Sequence, residues 1–359
     1  MSEINTYTED STVLHLNYSG IKKLSDKDLL TECFQKAQYL YLKRNLIKTL
    51  PRSVKQLTSL QQIHLEGNSL ECLPEEIGDL YSLQVLNVVS NHLTHLPGSI
   101  GRLKALKKLQ ISNNNLQCLP KEVGNLLGLE TLEASSNQLT SVPISLAHCS
   151  ELKLLALDKN RLKLFPRQLC RLQKLTELSL AGNLLEYLPP LIFEELSALH
   201  FLVIDQNPGV TAYPSHQGDI HVSHCGLIPK DTEANDRLKH LVIQGQRIPM
   251  PEEFEELCEP GKSCVPCLQE LSLRAVHPNL SSEFVSVGEL LPVDLTDRLM
   301  YPTSRCLYCM KMLFRSAFPL IYQESNRTVL TSAFCCSVKC ITETQVSIQN
   351  QLLFPVSVS

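Results

Sequence analysis

Fourteen of the 359 residues are cysteine, and spacing decides whether so many thiols do chemistry. Cys306 and Cys309 form a C-x₂-C pair in SRCLYCMKMLF. Cys336 and Cys340 form a second pair in FCCSVKC, which starts 27 residues after Cys309. Two close thiolate pairs separated by about a hairpin's length of chain suit a tetrahedral zinc site. Cys335 competes with Cys336 as a ligand, and reduced thiols packed as small hydrophobes are the other reading of all five. No histidine or carboxylate stands beside either pair, and four thiolates leave zinc no open position. The zinc that this spacing implies is structural. A second group, Cys258, Cys264 and Cys267 in CEPGKSCVPC, has no fourth ligand nearby. Cys225 or His224 would have to reach it across an irregular stretch.

Nothing else in the chain has the pattern of an active site. There is no recognisable activated nucleophile, acid–base pair or glycine-rich phosphate loop, so an enzyme is not expected. The 33 basic and 37 acidic residues give a net charge of −4, which excludes broad electrostatic binding to nucleic acid. The longest apolar runs fall short of the ~18 residues that a membrane-spanning helix needs. The first residues, MSEINTYTEDST, lack the basic and apolar regions of a signal peptide. A soluble, intracellular protein, cytoplasmic or nuclear, is the expectation, and free thiols fit a reducing compartment.

The elements that position these residues are set by an internal repeat. Asn45, Asn68, Asn91, Asn114, Asn137, Asn160 and Asn183 recur every 23 residues, and Asn207 follows after 24. Around each runs LxxLxLxxNxLxxLP with tolerated substitutions. The second and fifth positions after the seven evenly spaced asparagines are apolar without exception, from Ile47 and Leu50 to Leu185 and Leu188. This is a leucine-rich repeat pattern. The LxL pair reads as a short strand with both leucines inward. The asparagine can satisfy backbone groups of the turn that leaves the strand. The proline that follows the fifth position suits the start of a short convex helix with apolar i, i+3, i+6 spacing. An earlier unit from Leu14 to Leu24 has Ser19 in the asparagine place. The predicted fold class is an α/β leucine-rich repeat solenoid, with short parallel strands on its concave face and a small cysteine-rich C-terminal module.

About nine repeats fill residues 1–210. Residues 211–257 read as an irregular insertion followed by a tenth repeat from Leu238, with Gln246 in the asparagine place. Residues 258–359 form the C-terminal module. Strand positions beside the inward leucines face outward and form three columns along the concave face. At the N-terminal end these columns hold Tyr39, Tyr41, Lys43 and His64. Toward the C-terminal end they hold Leu154, Asp158, Phe201, Val203 and Asp205. Aromatic anchors among mixed charges are what protein contact surfaces use.

Between the repeats and the cysteine pairs lies CLQELSLRAVHPNLSSEFVSVGELLPVDLTDRL. Leu268, Ser272 and Val276 have the spacing of one helical face, and this segment resembles the elongin-C-binding box of cullin-RING ubiquitin ligase receptors. Cys267 stands before the leucine where that box usually has a small residue or proline. The following Leu291-Pro292-Val293-Asp294-Leu295-Thr296-Asp297-Arg298-Leu299 resembles a cullin box. It looks like the cullin-2 form, because it lacks the second proline of the cullin-5 form. The order of repeats, box, Leu-Pro box, C-x₂-C and CSVKC resembles the leucine-rich repeat-containing protein 28 family, related to the cullin-2 receptor leucine-rich repeat protein 1. LQELSL also fits the strand of an eleventh repeat, and an amphipathic segment could simply cap the solenoid.

That resemblance implies a non-enzymatic substrate receptor. Its target sits on the concave face, Leu268, Ser272 and Val276 seat on elongin C of the elongin B/C pair, and Leu291, Pro292, Leu295 and Leu299 steer cullin choice. An intracellular signalling scaffold with no ubiquitin-ligase role is the alternative, since similar 23-residue arrays occur there.

Overall fold

The computed structural model describes residues 12–189, 191–210, 212–214 and 221–223. Beyond these it describes the strands at 240–243, 246–249, 304–305, 312–313, 318–323, 330–335 and 352–354. The chain divides into two compact units. The first comprises residues 1–183, 196–206 and 219–224, and the second residues 184–195, 207–218 and 225–359.

In the first unit, nine three-residue strands run parallel in one sheet, in sequence order. They extend from β1 (Val13–His15), β2 (Tyr39–Tyr41) and β3 (Gln62–His64) through β4 (Val85–Asn87), β5 (Lys108–Gln110) and β6 (Thr131–Glu133). The last three are β7 (Leu154–Ala156), β8 (Glu177–Ser179) and β9 (Phe201–Val203). Register pairs the central residues in one line, Leu14 to Leu40 to Ile63 and onward to Leu202. Every residue of that line is at most 1% exposed. The apolar line is the reason the sheet stays in register, because a slip by one residue would turn all nine side chains outward. The apolar residues two and five places after each asparagine are also buried, from Ile47 and Leu50 to Leu185 and Leu188.

The return path on the convex side is tighter than the predicted short helix. Pro51, Pro74, Pro97, Pro120, Pro143 and Pro166 each cap a five-residue 3₁₀ helix, the first being Arg52–Gln56 and the last Arg167–Arg171. The apolar spacing explains it. Val54, Leu57 and Leu60 are buried together, and a strict interval of three is the period of a 3₁₀ helix rather than of an α-helix. Successive 3₁₀ helices stack so closely that only glycine fits at some contacts. A Cβ on Gly78, Gly101 or Gly124 would lie 2.2–2.4 Å from a carbonyl oxygen of the next turn. The N-terminal unit differs. There α1 (Asp26–Leu29) and α2 (Glu32–Lys36) take this place, and Ser25 and Asp28 close a reciprocal cap on α1.

A ladder of buried asparagines closes the turn after each strand. Asn91 Oδ1 accepts the Leu70 backbone N–H at 2.9 Å. Its Nδ2 donates to the Leu65 and Val88 carbonyls, each at 3.0 Å. The same three bonds recur at Asn114, Asn137, Asn160 and Asn183. In the first repeat Ser19 is exposed and too short for this role. Asn45 Oδ1 accepts from both the Ser19 and Ile21 N–H groups at 3.0 Å instead.

The sheet gains its tenth strand from the segment that keeps no period. β11 (His221–Ser223) pairs in parallel with β9, after β10 (Ala212–Pro214), which joins another sheet. Within the span read as a tenth repeat, β12 (His240–Ile243) and β13 (Gln246–Pro249) pair antiparallel with each other. A repeat strand would pair in parallel with its predecessor. The short link between two β-propensive runs favours the local hairpin over the long-range pairing.

In the second unit, α3 (Ile192–Glu195) follows Pro189, and Asn207 Oδ1 accepts the Leu185 N–H at 3.1 Å. β14 (Ser304–Arg305) and β15 (Met312–Leu313) pair antiparallel. A four-stranded sheet has the order β10, β17 (Leu330–Cys335), β16 (Phe318–Gln323), β18 (Leu352–Phe354).

Candidate functional site

Parallel pairing in register converts the 23-residue period into columns of outward side chains, and two groups on the concave face follow from it. The first lies on β1 to β3. His15, Tyr41 and His64 occupy equivalent positions on adjacent strands. Their rings stack in a row with centroids 4.8 Å apart, close to the strand spacing, and with interplanar angles of 6° and 16°. Tyr39 stands in the next column, half-buried. Lys43 reaches across to Glu66, with Nζ–Oε1 at 2.5 Å, and its ammonium also lies 6.0 Å from the centre of the Tyr41 ring.

His64 ends the ring row and is largely covered. Its Nδ1 and Glu66 Oε2 are both buried and stand 3.8 Å apart, beyond hydrogen-bond reach. Burial pushes the His64 imidazole below its ordinary pKa. Glu66 opposes this and Lys43 adds to it. The ring is therefore neutral near physiological pH, a stacking surface rather than a cation.

The second group lies on β7 to β9. Leu154, Ala156 and Val203 are half-buried, while Phe201 is 51% exposed. Asp158 is held firmly. It accepts from the Ser135 hydroxyl at 3.0 Å, from the Ser179 hydroxyl, and from the Ala181 N–H at 3.0 Å. Asp205 occupies the equivalent position two repeats further on, half-buried.

The structure thus brings Tyr39, Tyr41, Lys43 and His64 together at one end of the face. It places Leu154, Asp158, Phe201, Val203 and Asp205 on alternate strands toward the other. His15, Glu66, Ser135 and Ser179 were not singled out from the sequence, although each sits one repeat from a residue that was. Column position was the available signal, and side-chain reach was not.

The remaining sequence candidates lie elsewhere. Leu268, Ser272, Val276, Leu291, Pro292, Leu295 and Leu299 are outside the described residues. So are Cys306, Cys309, Cys336 and Cys340, as well as Cys225, Cys258, Cys264, Cys267 and His224. Cys335 ends β17. The C-x₂-C pair falls in sequence between β14 and β15, the two strands of an antiparallel pair. Among the described residues there is no metal-holding group of three His, Cys, Asp or Glu. No helix among them is long and apolar enough to cross a membrane. Cys33, Cys72, Cys118, Cys149 and Cys170 are free thiols.

These columns, the asparagine ladder and the parallel sheet define a leucine-rich repeat solenoid. Two leucine-rich repeat family models match the chain, one over residues 12–70 and one over residues 63–147. Among solved structures, a leucine-rich repeat protein of Leptospira interrogans is 26% identical, covering 57% of this chain and 75% of its own, at a TM-score of 0.40. A plant peptide hormone receptor, solved with its peptide, is 26% identical over 52% of this chain and 30% of its own, at a TM-score of 0.47. The ectodomain of an Arabidopsis thaliana membrane receptor kinase is 29% identical over 49% of this chain and 25% of its own, at a TM-score of 0.40. The chain thus spans a third or less of either plant receptor. No curated protein matches it.

Proposed function

We propose that the chain binds a protein partner across its concave face and performs no chemistry itself. The observation that carries this reading is the ten-stranded parallel sheet, which lines up outward residues into continuous columns. Such an open surface suits an extended protein contact and does not enclose a substrate away from water. The two residue groups supply what a contact of this kind uses, aromatic rings beside charge at one end and apolar side chains beside carboxylates at the other.

The finer reading is a substrate receptor of an elongin B/C–cullin-RING ubiquitin ligase. Its support is sequence order: the solenoid precedes a Leu268-x₃-Ser272-x₃-Val276 box and then a Leu291-Pro292 box. The receptor would hold a target while the two boxes dock on elongin and on cullin-2 or cullin-5. It would act by raising the local concentration of target lysines near a charged ubiquitin carrier. A structural zinc on Cys306, Cys309, Cys336 and Cys340 would hold the C-terminal module. The antiparallel pairing of β14 with β15, on either side of Cys306 and Cys309, is compatible with such a clip. The intracellular location belongs to the same proposal.

Co-purification of elongin B and C with the full chain tests the receptor reading. Wild-type protein should recover both, and Leu268→Ser should recover far less. Equal, background-level recovery by the two would leave the scaffold reading. Metal analysis of purified protein should find about one zinc per chain, absent from a Cys306→Ser/Cys340→Ser variant. No zinc in the unmutated protein would defeat that assignment.

A further inference from the structure

We propose that strands β6 to β9 form a docking site for a basic, apolar protein segment, one that carries arginine or lysine beside a large aliphatic or aromatic side chain. The proposal rests on the reading that the concave face binds protein, and it names the chemistry of what binds there.

Register sets the apolar half of the site. Leu154, Glu177 and Phe201 align across β7, β8 and β9, and Ala156, Ser179 and Val203 align beside them. Strands in a sheet lie about 4.8 Å apart, so Leu154 and Phe201 stand about 10 Å from each other. Glu177 stands between them on β8, so an aliphatic or aromatic side chain that covers Leu154 or Phe201 lies beside a carboxylate. Phe201 is 51% exposed, an aromatic surface on a strand of the sheet, second from its end, rather than at a loop tip. Covering it removes apolar area from water.

Charge sets the other half. The outward columns over β6 to β9 contain Glu133, Asp158, Glu177 and Asp205 and no lysine, arginine or histidine. Glu133 accepts from Gln110 Nε2 at 3.0 Å. Asp158 accepts from two serine hydroxyls and one backbone N–H. These donors are neutral, so they fix the carboxylates in place and leave their charge standing. At the other end of the face the Glu66 charge is met by Lys43. A cationic side chain arriving over β6 to β9 finds Glu133 and Asp158 already oriented, which lowers the ordering cost of binding. An acidic segment or a nucleic acid backbone meets like charge there and is turned away.

Selection of phage-displayed random peptides on the full chain, followed by fluorescence anisotropy of the enriched peptides, tests this. The enriched peptides should carry net positive charge together with Leu, Phe or Trp. They should bind Phe201→Ser and Glu177→Gln variants about tenfold more weakly, and they should weaken as salt is raised. Both positions are exposed, and circular dichroism of each variant checks that the solenoid remains folded. Enriched peptides that lose affinity for Phe201→Ser yet carry no basic residue would overturn the charge assignment while keeping the concave face as the binding surface. Peptides that bind both variants as well as wild type, or no enrichment at all, would overturn both readings.

Discussion

Asn137 Oδ1 accepts the Leu116 backbone N–H at 3.0 Å across 21 residues of sequence. The amide group of the same side chain donates to the Ile111 and Ala134 carbonyls, both at 3.0 Å. One side chain therefore closes the turn of its own repeat and ties it to the repeat before. The two carbonyls are shared, since Asn114 also donates to Ile111 and Asn160 to Ala134. The Leu116 N–H has no such substitute.

Asn137→Ala should therefore orphan one buried donor and leave the two carbonyls partly satisfied. The expected loss is about 2–3 kcal/mol, the cost of an unpaired buried amide plus a small cavity. Asn115→Ala, one position after an equivalent asparagine but exposed, should cost under about 0.5 kcal/mol. Urea unfolding of both variants decides it. Equal midpoints would mean that the ladder is not what holds the turns.

Convex stacking gives a second contrast. A Cβ at Gly124 meets the Ser145 carbonyl oxygen at 2.2 Å, whereas at Gly98 the nearest atoms are in the Glu122 side chain at 3.7 Å. Gly124→Ala should destabilise by about 1–3 kcal/mol through forced separation of two 3₁₀ helices. Gly98→Ala should be near neutral. The comparison is read from the two urea midpoints, and a neutral Gly124→Ala would refute the close approach.

His64 makes stability depend on pH with a definite sign. Its folded pKa lies below the ordinary value of 6.5 because burial disfavours the cation. The unfolded chain therefore takes up the proton first as pH falls. The contribution of His64 is fully favourable above about 6.5, and it is lost as pH falls through that value toward the folded pKa. An NMR titration should place His64 below 6.5, and replacing it by Gln should reduce the fall in melting temperature on mild acidification. A folded pKa above 6.5 would reverse the argument.

The free thiols should divide by burial. The Cys149 Sγ donates to the Val123 carbonyl at 3.4 Å, and burial pushes its pKa up to about 11. Near neutral pH it should resist maleimide until the solenoid unfolds, while exposed Cys118 reacts at once. Peptide mapping by mass spectrometry after brief labelling reads both sites in one sample. Rapid modification of Cys149 in folded protein would contradict its placement.

Much of the repeat architecture was legible because each position is stated many times. An apolar residue two places after asparagine, found at Ile47 and at six later repeats, sums many weak preferences into one pattern. The convex turns are legible as short helices, and the interval of three in Val54, Leu57 and Leu60 marks them further as 3₁₀. The irregular stretch was opaque for the opposite reason. His221–Ser223 joins the sheet with no repeat signal around it, since three backbone pairings need no particular side chains.

The amino-acid sequence by itself determined the period, the inward leucines, the buried asparagines and the proline-capped returns. These depend on residues near in sequence, and every repeat enforces them again. Only the tertiary structure decided which side chains meet on the concave face. The stacking of Tyr41 between His15 and His64, the Lys43–Glu66 pair and the triple hold on Asp158 all join residues a repeat or more apart. Each depends on register and rotamer, which no single repeat encodes. Strand spacing brought aromatic rings within stacking distance, and the same register set exposed Phe201 one strand from Glu177.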